Sequence, residues 1–519
     1  MTATQTLLQI IARRAHETPE ALAFDVEDER LTWSALRRAI ETAAVALVGQ
    51  GVGPGDVVGV ALPTRASFLA AFFGAQRVGA WPLALNPRTP VETNLRRLVG
   101  IEARACVVPA ERASDFAAPT VTGDLAILAD DVLARASSGS APPPPPADGV
   151  SHLQLTSGTS GAPRVAVLSH ANVLAFCASA ARRWPLAEDD VFLSWIPPHH
   201  DFGLVRFVFW PIYAGRPCHL LEPDLFRLDR WLDRLADARA TITGCPDFGF
   251  RFAAARVAPA GRDLSALRLA FNGGEPVRET TMAAFEARFG LGHVIAPGYG
   301  LAEATLALTM YEPGRPRRCD ARGNVSVGRP YDVVSIRIAD DHGVTLAANT
   351  EGCILATGAT VFAGYLHAPE ATRAVLSEDG WLDTGDEGYL DDDGHLYVLG
   401  RRRAMIKRAG AQVAPREVEE AVDGLAAEVP GLRFSAAVGL PNEALGGTED
   451  VVIVVEVHPE RVDAAAVRAR VAATCRAVTG VAPGKVLLVA PRTIPRTHNG
   501  KIRHQRLRAA LLAGEISPV

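Results

Sequence analysis

Short apolar runs alternate with helical stretches through roughly the first three hundred residues, and this order constrains the fold more than any other feature of the chain. Residues 22–24 are strand-like, 34–48 carry helical periodicity, 57–62 form an apolar run ending at Pro63, and 67–78 are helical again. A second series runs from about 150 to 310, with 191–195, 241–244, 267–272 and 293–296 as its short strands. Strands separated by crossover helices pair in parallel, so each series predicts a doubly wound sheet. Between the two series lie Ser137-Ser138-Gly139-Ser140 and the consecutive prolines Pro142 to Pro146. Polyproline offers a sheet no donors, and this stretch reads as a linker.

The texture changes from about 325 to 400. There 333–338, 352–357 and 396–399 alternate with turns such as Asp341-His342-Gly343 and Asp393-Gly394, the pattern of a small antiparallel unit. After residue 400 the pattern is mixed. Pro415 opens a helix at its first position, 451–457 is a strand, and Val467, Val471, Cys475 and Val478 line one helix face. The expected fold is therefore α/β. Residues 1–400 form a large N-terminal domain of two doubly wound βα subdomains plus a small antiparallel β subdomain, and residues 401–519 form a smaller α+β domain.

Composition excludes several functions. Lys+Arg 53 against Asp+Glu 58 leaves a net charge of −5, with no basic surplus for a nucleic-acid partner. The best membrane candidate, residues 68–79, is short and carries Arg77, so no stable membrane association is expected. The N-terminus has no basic residue before Arg13 and does not follow the order of a secretory signal, which points to the cytoplasm. Seven cysteines without a CxxC pair suggest neither a disulfide framework nor a thiolate metal site.

Of the 53 basic residues only three are lysines, Lys407, Lys485 and Lys501. A compact ammonium and a guanidinium fork are not interchangeable, so the few lysines kept in an arginine-rich chain are the first places to look for chemistry.

Thr156-Ser157-Gly158-Thr159-Ser160-Gly161-Ala162-Pro163-Arg164 joins two strand-like stretches. Its small hydroxyl residues and glycines can turn N–H and O–H groups onto phosphate oxygens, while Arg164 adds charge. It lacks the GxxxxGK[ST] pattern, and composition alone also fits a flexible turn. His200, in Pro197-Pro198-His199-His200-Asp201-Phe202-Gly203-Leu204, reads equally as a buried capping histidine; nothing at ligand spacing favours a metal. Asn272-Gly273-Gly274-Glu275-Pro276 ends a strand in a turn suited to close backbone approach.

Together these strings resemble the acyl-adenylate-forming superfamily of acyl-CoA ligases, luciferases, fatty acyl-AMP ligases and peptide-synthetase adenylation domains. Asp201-Phe202-Gly203-Leu204 and Gly298-Tyr299-Gly300-Leu301-Ala302-Glu303-Ala304-Thr305 are closest to the fatty acyl-AMP ligases. The resemblance implies that Thr156 to Gly161 and Arg164 hold phosphates, with arginine where lysine is usual. It implies that His199, His200, Asp201 and Gly298 face the acid. Gly273, Gly274, Glu275, Tyr299 and Gly300 would hold the adenine end of ATP, and Glu303 and Thr159 would hold Mg²⁺. Thr384-Gly385-Asp386 matches the ribose-binding aspartate, and Gly400-Arg401-Arg402-Arg403 matches the hinge, with Arg401 on ribose or phosphate and Arg403 at the pivot.

Pro495-Arg496-Thr497-His498-Asn499-Gly500-Lys501 resembles the family's C-terminal lysine loop, in which Lys501 would bring the carboxylate and the α-phosphate together. The stretch from Ala404 to Pro415 resembles coumarate-CoA ligases and luciferases, and Lys407 falls on the lysine used after the mobile C-terminal domain rotates. Lys485 carries no motif and is expected at the surface. The implied reaction activates a carboxylic acid, a fatty acid on this resemblance, to acyl-AMP and passes it to a phosphopantetheine thiol. An acyl carrier protein is the preferred acceptor. Free CoA, a nitrogen nucleophile, and a non-catalytic binder motivated by Arg164 and Ala404 remain alternatives.

Overall fold

The computed structural model describes residues 5–116, 124–135, 149–156, 164–224, 227–408, 411–442, 448–496 and 502–519. The proline-rich linker stretch falls outside them. The chain divides into two compact units. One holds Met1–Arg317, Val327–Ile336 and Leu355–Leu382; the other holds Arg318–Ser326, Arg337–Ile354 and Asp383–Val519.

Two sheets organise the first unit. Seven strands run in the order Gly364–Tyr365, Val165–Ser169, Val150–Leu155, Trp81–Ala84, Val57–Val60, Ala105–Val108, Ala126–Ala129. The last four are mutually parallel, and every residue of Val57–Val60 is buried, as expected of a parallel strand covered on both faces. Nine strands form the other sheet, in the order Arg329–Pro330, Thr309–Met310, Ile295–Tyr299, Leu269–Asn272, Ile242–Cys245, Phe192–Ser194, Cys218–Leu220, Leu22–Val26, Glu29–Thr32. From Ile295–Tyr299 to Leu22–Val26 the neighbours are parallel. Both series are thus wound as the sequence predicts.

Leu22–Val26 is placed differently from the local pattern. By position it belongs to the first series, yet it pairs with Cys218–Leu220 in the second sheet. A short apolar run specifies a strand but not its partner. Side chains just over two hundred residues away also meet this edge: Arg230 reaches Glu27 at 2.6 Å and Arg234 reaches Asp28 at 2.7 Å, both from the helix Leu228–Asp237.

In the second unit, Leu432–Asn442, Thr448–Val457 and Lys485–Val489 form a three-stranded sheet. Strand alternation sorts its valines. Val451, Ile453 and Val455 pack with Val418 and Val422 of the helix Pro415–Gly424 and with Val467, Val471 and Cys475 of the helix Ala464–Thr479. Val452 and Val454 face the opposite way, towards Leu507 of the helix His504–Leu512. Val478, expected on the same buried stripe, is 41% exposed. It sits in the last turn of its helix and lies outside that buried cluster. Pro415 occupies the first helical turn, where its missing N–H costs nothing, and Lys485 is exposed at its strand's start.

Within residues 325–401 a four-stranded sheet runs in the order Val334–Ala339, Gly352–Gly358, Leu382–Leu390, Leu396–Arg401. Its last two strands pair antiparallel and bring Asp386 opposite Arg401. No helix among the described residues is long and apolar enough to cross a membrane.

Candidate active site

Val150–Leu155 and Val165–Ser169 form an antiparallel hairpin with Leu155 opposite Val165. Thr156 N–H donates to the Arg164 carbonyl at 2.9 Å, closing the base of the candidate phosphate loop. Ser157, Gly158, Thr159, Ser160 and Gly161 lie outside the described residues. A strand follows the loop, where a Walker loop would lead into a helix.

Arg164 projects from this base over the ring of Tyr365, 5.2 Å from its centroid. Tyr365 reaches the hairpin because its own short strand pairs with it, Tyr365 opposite Ala166. Its hydroxyl donates to Glu303 Oε1 at 2.7 Å. Burial, with the adjacent Glu303 carboxylate, pushes the phenol well above its usual range, so it stays a proton donor at neutral pH. Arg164, Tyr365 and Glu303 are thereby gathered in one place. Glu303 is fixed from behind as well, since Phe362 N–H donates to its carbonyl at 2.8 Å. Two residues on, Thr305 is held at φ +68° with its hydroxyl on the Thr360 carbonyl at 2.7 Å. A β-branched residue in that region is strained, and strain of this kind concentrates at functional sites.

The strand Leu269–Asn272 ends in Gly273 and Gly274, the latter at φ +78°. A Cβ on Gly273 would stand 3.0 Å from the Gly298 carbonyl oxygen, so the turn and the start of the Gly298 to Thr305 motif approach as closely as backbone allows. Glu275 Oε1 accepts from Phe248 N–H at 2.6 Å. Beneath the turn Asp247, almost fully buried, accepts from the Asn272 side chain at 3.1 Å, Arg278 N–H at 3.0 Å and Thr281 at 2.9 Å. Burial raises its pKa despite those donors. Tyr299 sits opposite Thr309 beside this turn, and Gly300 has no room for a side chain under the Leu306 carbonyl.

His200 occupies the N-cap position of the short helix Asp201–Leu204, its carbonyl accepting from Leu204 N–H at 2.8 Å. The rings of His199 and His200 lie 4.6 Å apart. Asp201 Oδ1 accepts from Phe202 N–H at 2.7 Å. Gln154, in the strand that leads into the candidate phosphate loop, donates to the His199 carbonyl at 3.1 Å and ties the two motifs together. Gly203 is required, because a Cβ there would collide with the Pro197 carbonyl.

The second unit carries the remaining candidates. Arg401 Nε lies 3.0 Å from Asp386 Oδ1, and Arg401 Nη1 donates to the Thr384 carbonyl at 2.8 Å. Thr384 donates to the Ile354 carbonyl at 2.8 Å and accepts from Asp386 N–H at 3.2 Å, fixing the buried aspartate. Arg402 pairs with Asp383 at 2.6 Å. Lys407 stands opposite Gln412 in the ribbon of Ile406–Arg408 and Ala411–Val413; the Lys407 and Arg403 side chains lie outside the described residues. So does Lys501, although the ends of its loop are described. Arg496 bridges Ile502, and Arg503 N–H donates to the Pro495 carbonyl at 2.8 Å.

Among the described residues no three side chains gather as a metal cage. A single carboxylate such as Glu303 suits Mg²⁺ held mainly by substrate phosphates and water, so the residues present fit that ion.

Residues 11–366 match the family model described as AMP-binding enzyme. The chain belongs to that family. A putative acyl-CoA synthetase of Caulobacter vibrioides (strain NA1000 / CB15N) is 30% identical to this AMP-binding chain over 539 residues, 94% of it and 91% of the relative. The medium-chain-fatty-acid–[acyl-carrier-protein] ligase JamA of Moorena producens (strain JHB) is 27% identical over 572 residues, 98% and 96% of the two chains. Among solved structures, the anthranilate CoA ligase AuaEII in complex with anthranoyl-AMP superposes with a TM-score of 0.84 over 99% of each chain at 23% identity. That likeness shows the fold, with a large N-terminal and a smaller C-terminal part. The family's enzymes form adenylates, and the relatives named here are ligases or a synthetase.

Sequence reasoning missed Tyr365, Gln154 and Asp247. Tyr365 is 62 residues from Glu303 and Gln154 is 45 from His199, so neither contact leaves a local signal. Asp247 could have been flagged only as an acid opening a helix.

Proposed function

We propose that this AMP-binding enzyme activates a carboxylic acid with ATP and transfers the acyl group to a phosphopantetheine thiol, an acyl carrier protein being the preferred partner. The gathering of Arg164, Tyr365 and Glu303 at the base of the phosphate loop carries this reading. A cation for departing phosphates and an acid for Mg²⁺ are what adenylation needs side by side. In the first step a carboxylate oxygen attacks the α-phosphorus of ATP, and the bond to pyrophosphate breaks. In the second the thiol sulfur attacks the acyl carbon, loses its proton, and AMP leaves.

Each residue has a role in this scheme. Thr156 and Arg164 face the β- and γ-phosphates together with the loop they close. Gly273, Gly274 and Tyr299 take the adenine, and Asp386 with Arg401 takes the ribose. His200 borders the acid. Glu303 and Thr159 hold Mg²⁺, which when bound neutralises phosphate charge. Lys501 brings the two anionic reactants together, so positioning and charge neutralisation supply the catalysis. Domain rotation at Arg403 then presents Lys407 for thiol transfer.

Free CoA is the second reading, favoured by the Lys407 segment and by the Caulobacter relative's name. Separated half-reactions test the scheme. Lys501→Ala is expected to abolish adenylate formation while retaining ATP binding, and Lys407→Ala to slow thioester formation from preformed acyl-AMP. Equal loss of both steps in both variants would overturn the rotating-domain scheme, and the faster acceptor, carrier protein or CoA, would assign the partner.

A further inference from the structure

The chain on either side of the loop that carries Lys501 is held by a buried carboxylate, and the two anchors differ in kind. On the incoming limb, Ile494 N–H donates to Glu456 Oε1 of the strand Thr448–Val457 at 2.9 Å. On the outgoing limb, His504 is the first residue of the helix His504–Leu512, three positions after Lys501, and its Nε2 lies 2.7 Å from Glu419 Oε1. The limbs meet at the base of the loop, where Arg496 bridges Ile502 and Arg503 N–H donates to the Pro495 carbonyl at 2.8 Å.

Glu419 is itself well anchored. Its Oε1 also accepts from Ala437 N–H at 2.9 Å, and four residues on Asp423 accepts from Ser435 N–H at 2.7 Å, so the helix Pro415–Gly424 is tied twice to the strand Leu432–Asn442. In the same helix Arg416 donates to the Val398 carbonyl at 3.2 Å. His504 therefore fastens the end of the lysine loop to a support that is fixed from two further directions.

A backbone N–H keeps its proton at neutral pH, whereas an imidazole titrates there. All but three of the 53 Lys and Arg residues are arginine, yet the cation opposite Glu419 is a histidine. Two charged groups face it, Glu419 from its helix and Arg496 from the incoming limb. Burial and Arg496 disfavour the imidazolium, Glu419 favours it, and the balance raises the pKa above the ordinary 6.5. The ion pair is thus complete below about pH 6.5 and is lost as pH rises through the higher folded value.

We infer that His504 is a positioning residue for Lys501: its ion pair with Glu419 sets the outgoing limb of the lysine loop, and the charged imidazole holds that limb more firmly than the neutral one. The inference rests on the reading of Lys501 as the group that brings the carboxylate and the α-phosphate together. A displacement of about 1 Å in a positioning group can cost about 10²-fold in rate, so a loosened limb registers in adenylation before it registers in folding. Deprotonation leaves a neutral imidazole that can still donate one weaker hydrogen bond, and its effect is smaller than that of losing the ring.

The test follows two half-reactions of the full chain between about pH 6 and pH 9. One is ATP–pyrophosphate exchange, which needs Lys501 in the scheme above; the other is thioester formation from preformed acyl-AMP, which needs Lys407. His504→Gln keeps a side-chain donor without the charge. It is expected to slow exchange about tenfold at the acid end, the scale of a hydrogen bond to a charged group, and the wild-type rate should fall towards it as pH rises. His504→Arg, charged throughout, should hold the higher rate across the whole range. Thioester formation should be unchanged in both variants. Glu419→Gln repeats the comparison from the other partner if His504→Gln does not fold. A wild-type to His504→Gln ratio that stays constant with pH, or equal slowing of the two half-reactions, would overturn the inference even where Lys501→Ala abolishes exchange. Undiminished exchange in Lys501→Ala would sink the reading of Lys501, and this inference with it.

Discussion

The Tyr365 hydroxyl donates to the Glu303 carboxylate at 2.7 Å, beneath the Arg164 guanidinium. This contact joins the strand that flanks the proposed phosphate loop to the proposed Mg²⁺ carboxylate. It also leaves Glu303 one fewer orientation to adopt. Tyr365→Phe should therefore lower exchange about tenfold and raise the Mg²⁺ concentration needed for half-maximal rate, at a stability cost of about 1 kcal/mol. Titrating Mg²⁺ in the exchange assay checks this. An unaltered Mg²⁺ dependence would detach Tyr365 from the metal's carboxylate.

Arg401 and Asp386 face each other across the hairpin at 3.0 Å, with Arg401 also anchored on Thr384. Arg401→Met should raise the KM for ATP by about tenfold, the scale of a hydrogen bond to a charged group, with a smaller effect on KM for the acid. Initial rates against each substrate separate the two. A change confined to the acid would contradict a nucleotide role.

Two buried histidines set an acid limit. Burial, helped by the charge of His170, holds His152 down at about 3, and burial holds His170 at about 4. In the unfolded chain both titrate near the usual value of about 6.5. Both lie lower when folded, so the stability they contribute is present above about pH 6.5 and is lost as pH falls towards their folded values. The loss is at most about 1.4 kcal/mol per pH unit for each histidine. Urea midpoints at pH 7 and pH 5 should show it, and His152→Phe should shrink the difference. A flat profile in the wild-type chain would contradict the assignment.

The sequence pattern revealed much of the strand–helix order because parallel strands such as Val57–Val60 are buried apolar runs and helices such as Leu228–Asp237 carry a buried stripe. It could not assign Leu22–Val26 to its sheet, since its ladder partner Cys218–Leu220 is remote in the sequence. Candidate motifs could be read where their residues are contiguous, as at Gly273-Gly274 and Thr384-Gly385-Asp386. Tyr365 and Gln154 act through single long-range hydrogen bonds and leave no periodic trace.

Acid-dependent exchange of pyrophosphate into ATP by the purified wild-type chain tests adenylate formation most directly. Label should enter ATP only when Mg²⁺ and a suitable acid are both present, and Lys501→Ala should stop it. Exchange that proceeds without acid, or persists undiminished in the Lys501 variant, would contradict the proposed chemistry.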